Sequence, residues 1–308
     1  MFLLFLSIVK MHIYSDKTTY LVGENIYVGC EITNTGSDVA FVEMFLFSRK
    51  LLSEDAEMWD TDGRKVPHGI MTGGVVVTGR KDGHVPMKML QPGETLRFKE
   101  KTIMGFYGSV IFNKRAWYWN NIYIRPGEYF FSIQYWVKEK GKLKKVSSDT
   151  LHIHIQKPAG EEKKAWEIYK KFRERKGSWK IKDTKDMIYL SKKLIKEYPE
   201  SVYLDELFYY LHHFSFVENW ESKNPEMKRE INETREERRE LLNLIKENIK
   251  KYKGRTQREA LWAIIHGEMA LGTSVEEIKS FVINSGVPLD REIKDYFGIE
   301  DKESQDNR

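Results

Sequence analysis

The chain has 308 residues, of which 41% are hydrophobic, 13% aromatic and 31% charged. This composition is typical of proteins with apolar cores and excludes an intrinsically disordered chain. The single cysteine, Cys30, excludes an intrachain disulfide framework and a cysteine-rich zinc module. No apolar run reaches the length of about 18 residues that a transmembrane helix requires, so we expect no membrane-spanning segment.

The first residues are strongly apolar and leave two interpretations open. Residues 1–9 have the length of the hydrophobic region of an export signal, but they lack its basic start and a small-x-small cleavage site. The same segment runs into the first predicted strand, Ser7 to Tyr14. We expect a periplasmic or extracellular protein, the interpretation we favour, or a cytoplasmic protein whose first strand is unusually apolar.

Residues 7–156 alternate apolar and polar side chains, which predicts β-strands. Four residues share the apolar face of the clearest strand: Ile26, Val28, Cys30 and Ile32. Glycine followed by glutamate precedes three predicted strands: Gly23-Glu24, Gly93-Glu94 and Gly127-Glu128. Proline stands before the second and third of these glycines, which is typical of type II turns. About seven to nine such segments without a helical pattern predict a two-sheet sandwich.

Two stretches of this half resemble immunoglobulin-like domains. They are Asp16-Lys17-x-x-Tyr20-Leu21-Val22-Gly23-Glu24-Asn25-Ile26-Tyr27-Val28 and Thr33-Asn34-Thr35-Gly36. They are similar to the opening of such domains in uncharacterised bacterial surface and periplasmic proteins, and to the sandwich of the bacterial intracellular proteinase inhibitor family. The resemblance implies an immunoglobulin-like β-sandwich but no chemistry, because turn and strand residues specify a fold.

After residue 158 the apolar residues recur at the three- and four-residue intervals of α-helices. A shift of 54 residues places Leu190 on Leu244 and Leu207 on Leu261, which is a weak internal repeat of a helix pair. The segment Tyr198-Pro199-Glu200-Ser201-x-Tyr203 resembles the helix junction of tetratricopeptide-like proteins of the bacterial envelope. The resemblance implies helical hairpins that present a groove.

The two halves together predict a multi-domain chain. An all-β immunoglobulin-like sandwich is expected at residues 1–157, followed by an all-α helical hairpin, tetratricopeptide-like domain at residues 158–300. Residues 301–308 are expected to form a polar tail, because seven of the eight are charged or amide side chains near the chain end.

Residue types that carry chemistry lack the spacing of known sites. His152 and His154 stand two apart on the last predicted strand, so both point to one face, opposite Ile153 and Ile155. Zinc sites use at least three protein ligands, and the sequence indicates no third one here. We therefore expect two solvent-facing histidines, no metal and no cofactor.

The run Trp117-Tyr118-Trp119-Asn120-Asn121 is the most unusual local feature. Alternation places Trp117 and Trp119 on one face of a strand. That face can belong to the core, contact a protein partner, or stack on sugar rings whose hydroxyl groups bond to the asparagines. All three interpretations remain open.

Residues 163–196 hold 13 basic and 4 acidic residues. We expect a docking surface for an acidic protein segment, formed by six residues of this region and the helix after it: Lys192, Lys193, Lys196, Tyr203, Tyr209 and Tyr210. In the alternative interpretation the tyrosines pack against the sandwich and the lysines only keep the protein soluble. The net charge of +5 is too small and too dispersed to predict nucleic-acid binding.

The sequence therefore favours a non-catalytic protein-binding or scaffolding protein, of the bacterial cell envelope. The alternatives are an enzyme whose site is built from loops at the domain junction, a carbohydrate-binding module and a proteinase inhibitor.

Overall fold

A computed structural model describes residues 8–43, 56–66, 87–102, 125–175, 181–214, 229 and 231–299. The chain divides into two compact units, Met1–Pro158 and Ala159–Arg308. Within the described ranges, the first unit contains strands and the second contains helices.

The described part of the first unit contains ten strands. They are β1 (Val9–Ser15), β2 (Thr19–Leu21), β3 (Tyr27–Asn34), β4 (Ala40–Glu43), β5 (Ala56–Asp60), β6 (Met87–Leu90), β7 (Thr95–Thr102), β8 (Gly127–Glu139), β9 (Lys142–Ser147) and β10 (Leu151–Gln156). One sheet has three strands in the order β1-β3-β7. The other has seven strands, in the order β2-β10-β8-β4-β6, with β5 and β9 also paired to β8.

The inward side chains of both sheets form one apolar core. In β3 the residues Val28, Cys30 and Ile32 are buried, as the alternation predicts. In β8 the residues Phe131 and Ile133 are fully buried. Because burying one large apolar side chain stabilises a fold by about 1.5–3 kcal/mol, these inward faces fix which side of each strand remains outside.

The predicted fold class, an immunoglobulin-like all-β sandwich followed by an all-α tetratricopeptide-like domain, is wrong. The larger sheet is mixed, because the short strand β2 pairs in parallel with β10. Helices follow the strands, so the chain as a whole is a mixed α and β protein. Alternation along a strand identifies its buried face, but it contains no information about strand direction or about the neighbouring strand.

The described helices are α1 (Gly160–Arg175), α2 (Ile181–Glu197), α3 (Tyr203–Phe214), α4 (Arg235–Asn248), α5 (Gly254–Ala270), α6 (Val275–Asn284) and α7 (Arg291–Phe297). Helix α3 packs mainly against α5, and α2 packs against α1 and α4. Helix α3, which ends at Phe214, therefore packs mainly against a helix that begins 40 residues later, at Gly254. Among the residues described, no helix combines the length and the hydropathy needed to cross a membrane.

Asn34 holds together one end of the first unit. Its side chain is fully buried at the end of β3. The amide nitrogen Nδ2 donates to the carbonyl oxygens of Asp38 at 2.8 Å and Leu90 at 3.0 Å, and Oδ1 accepts from the backbone N–H of Gly36 at 3.0 Å. One side chain thus fixes the turn after β3 and the end of β6.

We expect Asn34→Ala to lower the free energy of unfolding by about 2–4 kcal/mol, because one buried and two partly buried backbone groups lose their hydrogen-bond partner. The neighbouring Thr33→Ala is the control, since Thr33 bonds to Thr95 only at the exposed surface. Urea unfolding of both variants tests this. Equal losses in the two variants would show that Asn34 does not organise this end of the unit.

Candidate functional site

The outward face of the seven-stranded sheet carries a row of rings across three strands. Trp59 on β5 and His152 on β10 stand directly opposite Phe130 on β8. The ring centroids of Trp59 and Phe130 lie 6.2 Å apart with 22° between the planes. Those of Phe130 and His152 lie 5.0 Å apart with 17° between the planes. The three rings form a stacked row, which we call the ring row.

The position of the histidines follows from the pattern of β10. Ile153 and Ile155 are buried in the core, so His152 and His154 point outward. This is the orientation that the sequence predicts. Strand pairing then places His154 directly opposite Glu128 on β8.

One carboxylate contacts both imidazoles. Nδ1 of His154 contacts Oε1 of Glu128, and Nε2 of His152 lies 2.5 Å from Oε2. A carboxylate only accepts hydrogen bonds, so Nδ1 of His154 is the donor in its hydrogen bond to Glu128. The hydrogen bond from His154, together with the charge and hydrogen bond of His152, holds the pKa of the Glu128 carboxyl below its usual range. Glu128 therefore stays ionised and fixes both rings.

Glu128 departs from the role of the other two glutamates in the Gly-Glu pairs. Glu24 accepts the backbone N–H of Leu21, and Glu94 accepts that of Gln91, both at 2.9 Å. Each of these glutamates thus closes its own turn. Glu128 instead reaches across to β10. The sequence signal for this site is the repeated Gly-Glu pair, but its different use at Glu128 depends on the strand register.

Histidine, cysteine and carboxylate side chains are the groups that could bind a metal ion or act as a nucleophile. Within the described ranges, no group of three or more His, Cys, Asp or Glu side chains is arranged to hold a metal ion. Cys30 is fully buried, and burial raises the pKa of its thiol. His266 lies on α5 with its ring centroid 5.1 Å from that of Trp262. The side chains of His212 and His213 lie outside the described residues.

The six residues predicted to bind an acidic segment do not share one surface. Tyr203 is fully buried and stacks on Tyr169, with ring centroids 5.2 Å apart. Tyr210 is buried against Phe172, with centroids 6.0 Å apart. Burial and the nearby carboxylates of α3 and α5 raise the pKa of Tyr209 to about 12. Tyr203 and Tyr210 therefore belong to the interior of the helical unit, and Tyr209 is half-buried.

The three predicted lysines contact acidic residues or solvent. Nζ of Lys192 lies 2.6 Å from a carboxylate oxygen of Glu240, and Nζ of Lys193 lies 3.9 Å from one of Glu197. Lys196 is exposed. Glu240 belongs to α4. Lys192, which we expected to bind an acidic partner, is therefore paired with a carboxylate of this same chain.

The two tryptophans expected at a partner or sugar surface, Trp117 and Trp119, lie outside the described residues. Their role stays a prediction.

Comparison with known proteins does not identify a family. No protein-family model matches the chain, and no curated protein matches it. Among solved structures, the sporulation control protein Spo0M from Bacillus subtilis is similar at 11% identity, with a TM-score of 0.26. That match covers 54% of this chain and 55% of the Spo0M chain, so it spans about half of each. A TM-score this low carries no argument about fold or function, and the resemblances noted in the sequence stay predictions.

The Glu128 carboxyl should titrate at lower pH than an ordinary glutamate, and His154→Gln should move its pKa back towards the ordinary value. Because the pKa is lowered in the folded state, the stabilisation exists above the ordinary glutamate pKa and is lost as the pH falls through the lowered one. NMR titration of the carboxyl carbon measures both values.

The control is His12→Gln. His12 belongs to β1 of the three-stranded sheet and contacts Asp149, which lies between β9 and β10. An unchanged Glu128 pKa in His154→Gln, or an equal change in His12→Gln, would contradict the assignment of the shift to His154.

Proposed function

We propose that this protein is a non-catalytic protein-binding protein and that the ring row, with Glu128 and His154, is its binding surface. The stacked arrangement of Trp59, Phe130 and His152 on the outward sheet face is the observation that carries this proposal. Aromatic side chains dominate the binding energy of many protein interfaces, because they bury a large area with few rotatable bonds.

Fixed side chains favour binding, because the partner then does not have to order them. Phe130 is held between the rings of Trp59 and His152, and Glu128 holds His152 from its other end. Immobilising one side chain on binding costs about 0.5–1.5 kcal/mol, so a row that is already ordered avoids most of that cost.

The stacking favours a protein partner over a carbohydrate at this surface. The rings of Phe130 and His152 are 5.0 Å apart and nearly parallel, close to the spacing of about 4.8 Å between neighbouring strands. Each ring therefore covers a face of its neighbour and stands away from the sheet. Sugars stack on open ring faces, whereas a protein can pack against ring edges.

The same contacts favour binding over acid–base catalysis. A general acid or base works best when its pKa lies near the working pH. The histidines move the Glu128 pKa in the opposite direction, away from neutrality. Placement in the cell envelope stays a prediction, because residues 1–7 lie outside the described part of the chain.

Site-specific photo-crosslinking tests the proposed surface. A photo-reactive phenylalanine analogue at position 130 should give a discrete protein adduct in extract from the native source. The same analogue at Lys10 is the control, because Lys10 is exposed on the outward face of the three-stranded sheet. Adding Trp59→Ala to the position-130 probe should reduce the adduct, since one side of the row is then lost.

Electrophoresis detects the adducts, and mass spectrometry identifies the molecule that is crosslinked. Identical adducts from positions 130 and 10, or none from position 130, would refute protein binding at the ring row. An adduct of a small molecule alone at position 130 would favour the enzymatic or carbohydrate alternative.

A further inference from the structure

A second surface lies on the same face of the large sheet, at the end where β8 turns into β9. Four apolar side chains are exposed there: Val39 (36%), Phe41 (36%), Met89 (49%) and Leu143 (54%). Exposed apolar side chains that cluster in this way indicate an interaction site, whereas single ones do not.

Strand register places these side chains in one row. Met89 on β6 pairs with Phe41 on β4, Phe41 pairs with Lys138 on β8, and Lys138 pairs with Leu143 on β9. Directly paired residues project from the same side of a sheet. Val39 precedes Phe41 by two residues in the chain. We call this row and its lysines the hairpin patch.

Lysines surround the apolar row. The exposed ones on β8, its turn and β9 are Lys138, Lys140, Lys142 and Lys145. Two carboxylates lie among them. Glu139 is bound by Lys144 at 2.5 Å, and Asp38 lies 3.4 Å from Nζ of Lys140. Lys138 pairs with Leu143 and Lys145 pairs with Trp136, so both lysines project from the side of the apolar row, and Lys140 stands at the tip. These three lysines outnumber Asp38, so the hairpin patch is positively charged.

A tight turn forms the exposed tip of the hairpin patch. Lys140 and Gly141 both have positive φ angles, 48° and 77°, and they connect β8 to β9 directly. The side chain of Lys140 is 77% exposed at this tip. Apolar side chains beside a cationic tip can enter the outer layer of a bilayer while the lysines remain among the headgroups.

We propose that the hairpin patch docks on an anionic lipid surface. Apolar side chains and positive charge lie together, and charge complementarity selects anionic headgroups. The inference goes beyond the proposed function, because it uses none of the residues of the ring row.

The lysines favour a lipid surface over an acidic protein segment. Lysine is depleted in protein–protein interfaces, whereas arginine is enriched there. Arginine also fits a carboxylate with two parallel hydrogen bonds, but lysine acts as a hydrated point charge. All the cations of the hairpin patch are lysines, which suits dispersed headgroup phosphates.

Vesicle co-sedimentation tests the proposal on the full chain. The probes are vesicles of phosphatidylcholine alone and of phosphatidylcholine mixed with phosphatidylserine. The protein should sediment only with the mixed vesicles. Binding should weaken between about 0.1 M and 1 M salt, because the Debye length falls from about 10 Å to about 3 Å.

Charge reversal tests the lysines. Lys138→Glu with Lys145→Glu should weaken binding at least about twentyfold, since each lysine near an anionic surface contributes about fivefold. The matched control is Lys193→Glu with Lys196→Glu, which changes the net charge equally in the helical unit.

Leu143→Ser tests the apolar contribution. It should weaken binding about fivefold, because the variant has less apolar side-chain area to transfer from water into the bilayer. Its control is Ile283→Ser on α6, where the side chain is 51% exposed.

The proposal is overturned if the protein does not sediment with mixed vesicles or if the control pair weakens binding as much as Lys138→Glu with Lys145→Glu. It is also overturned if a soluble polyglutamate peptide binds while the vesicles do not, because the surface then belongs to an acidic protein segment. Weaker vesicle binding of the hairpin variants, together with unchanged binding of both control variants, supports the proposal. Circular dichroism of each variant confirms that folding is retained.

Discussion

Strand β8 is the element on which the first unit depends, because it is hydrogen-bonded along both of its edges. Phe130 faces β5 on one side and β10 on the other, and Lys138 faces β4 and β9 in the same way. With both edges paired and one face buried in the core, only the outward face remains for contact with other molecules. Phe130 and Lys138 are eight residues apart on that face, or about 27 Å, so the two proposed surfaces occupy separate ends of one strand.

Side-chain patterns in the sequence predict which face of a strand is buried, but they do not predict which strands pair with each other. The alternation around Cys30 and around Ile153 predicted which residues are buried, because a strand has a period of two. It could not predict that β2 joins β10 in parallel, or that Glu128 stands opposite His154. Those facts depend on register between segments more than 20 residues apart, and periodicity within one segment contains no information about register.

In the helical unit, a count of charges along the sequence likewise does not predict which charges lie together in the fold. A count within residues 163–196 indicates a basic surface. The fold places α4 beside α2, where Glu237 and Glu240 lie 3.0 Å and 2.6 Å from Lys185 and Lys192. The acids come from a helix about 50 residues later in the chain, so a local count overlooks them. Exposed ion pairs of this kind stabilise a protein little, but they remove free charge from a surface.

The two ends of β8 should respond to different conditions, because their charges have different origins. Since the Glu128 pKa is lowered, the carboxylate that contacts His152 and His154 stays ionised to a lower pH than an ordinary glutamate would, and the contact is lost when Glu128 takes up a proton. Salt, by contrast, screens the exposed lysines, while the stacking of Phe130 on its neighbours does not depend on charge. A single strand can therefore present one surface that is sensitive to acid and another that is sensitive to ionic strength.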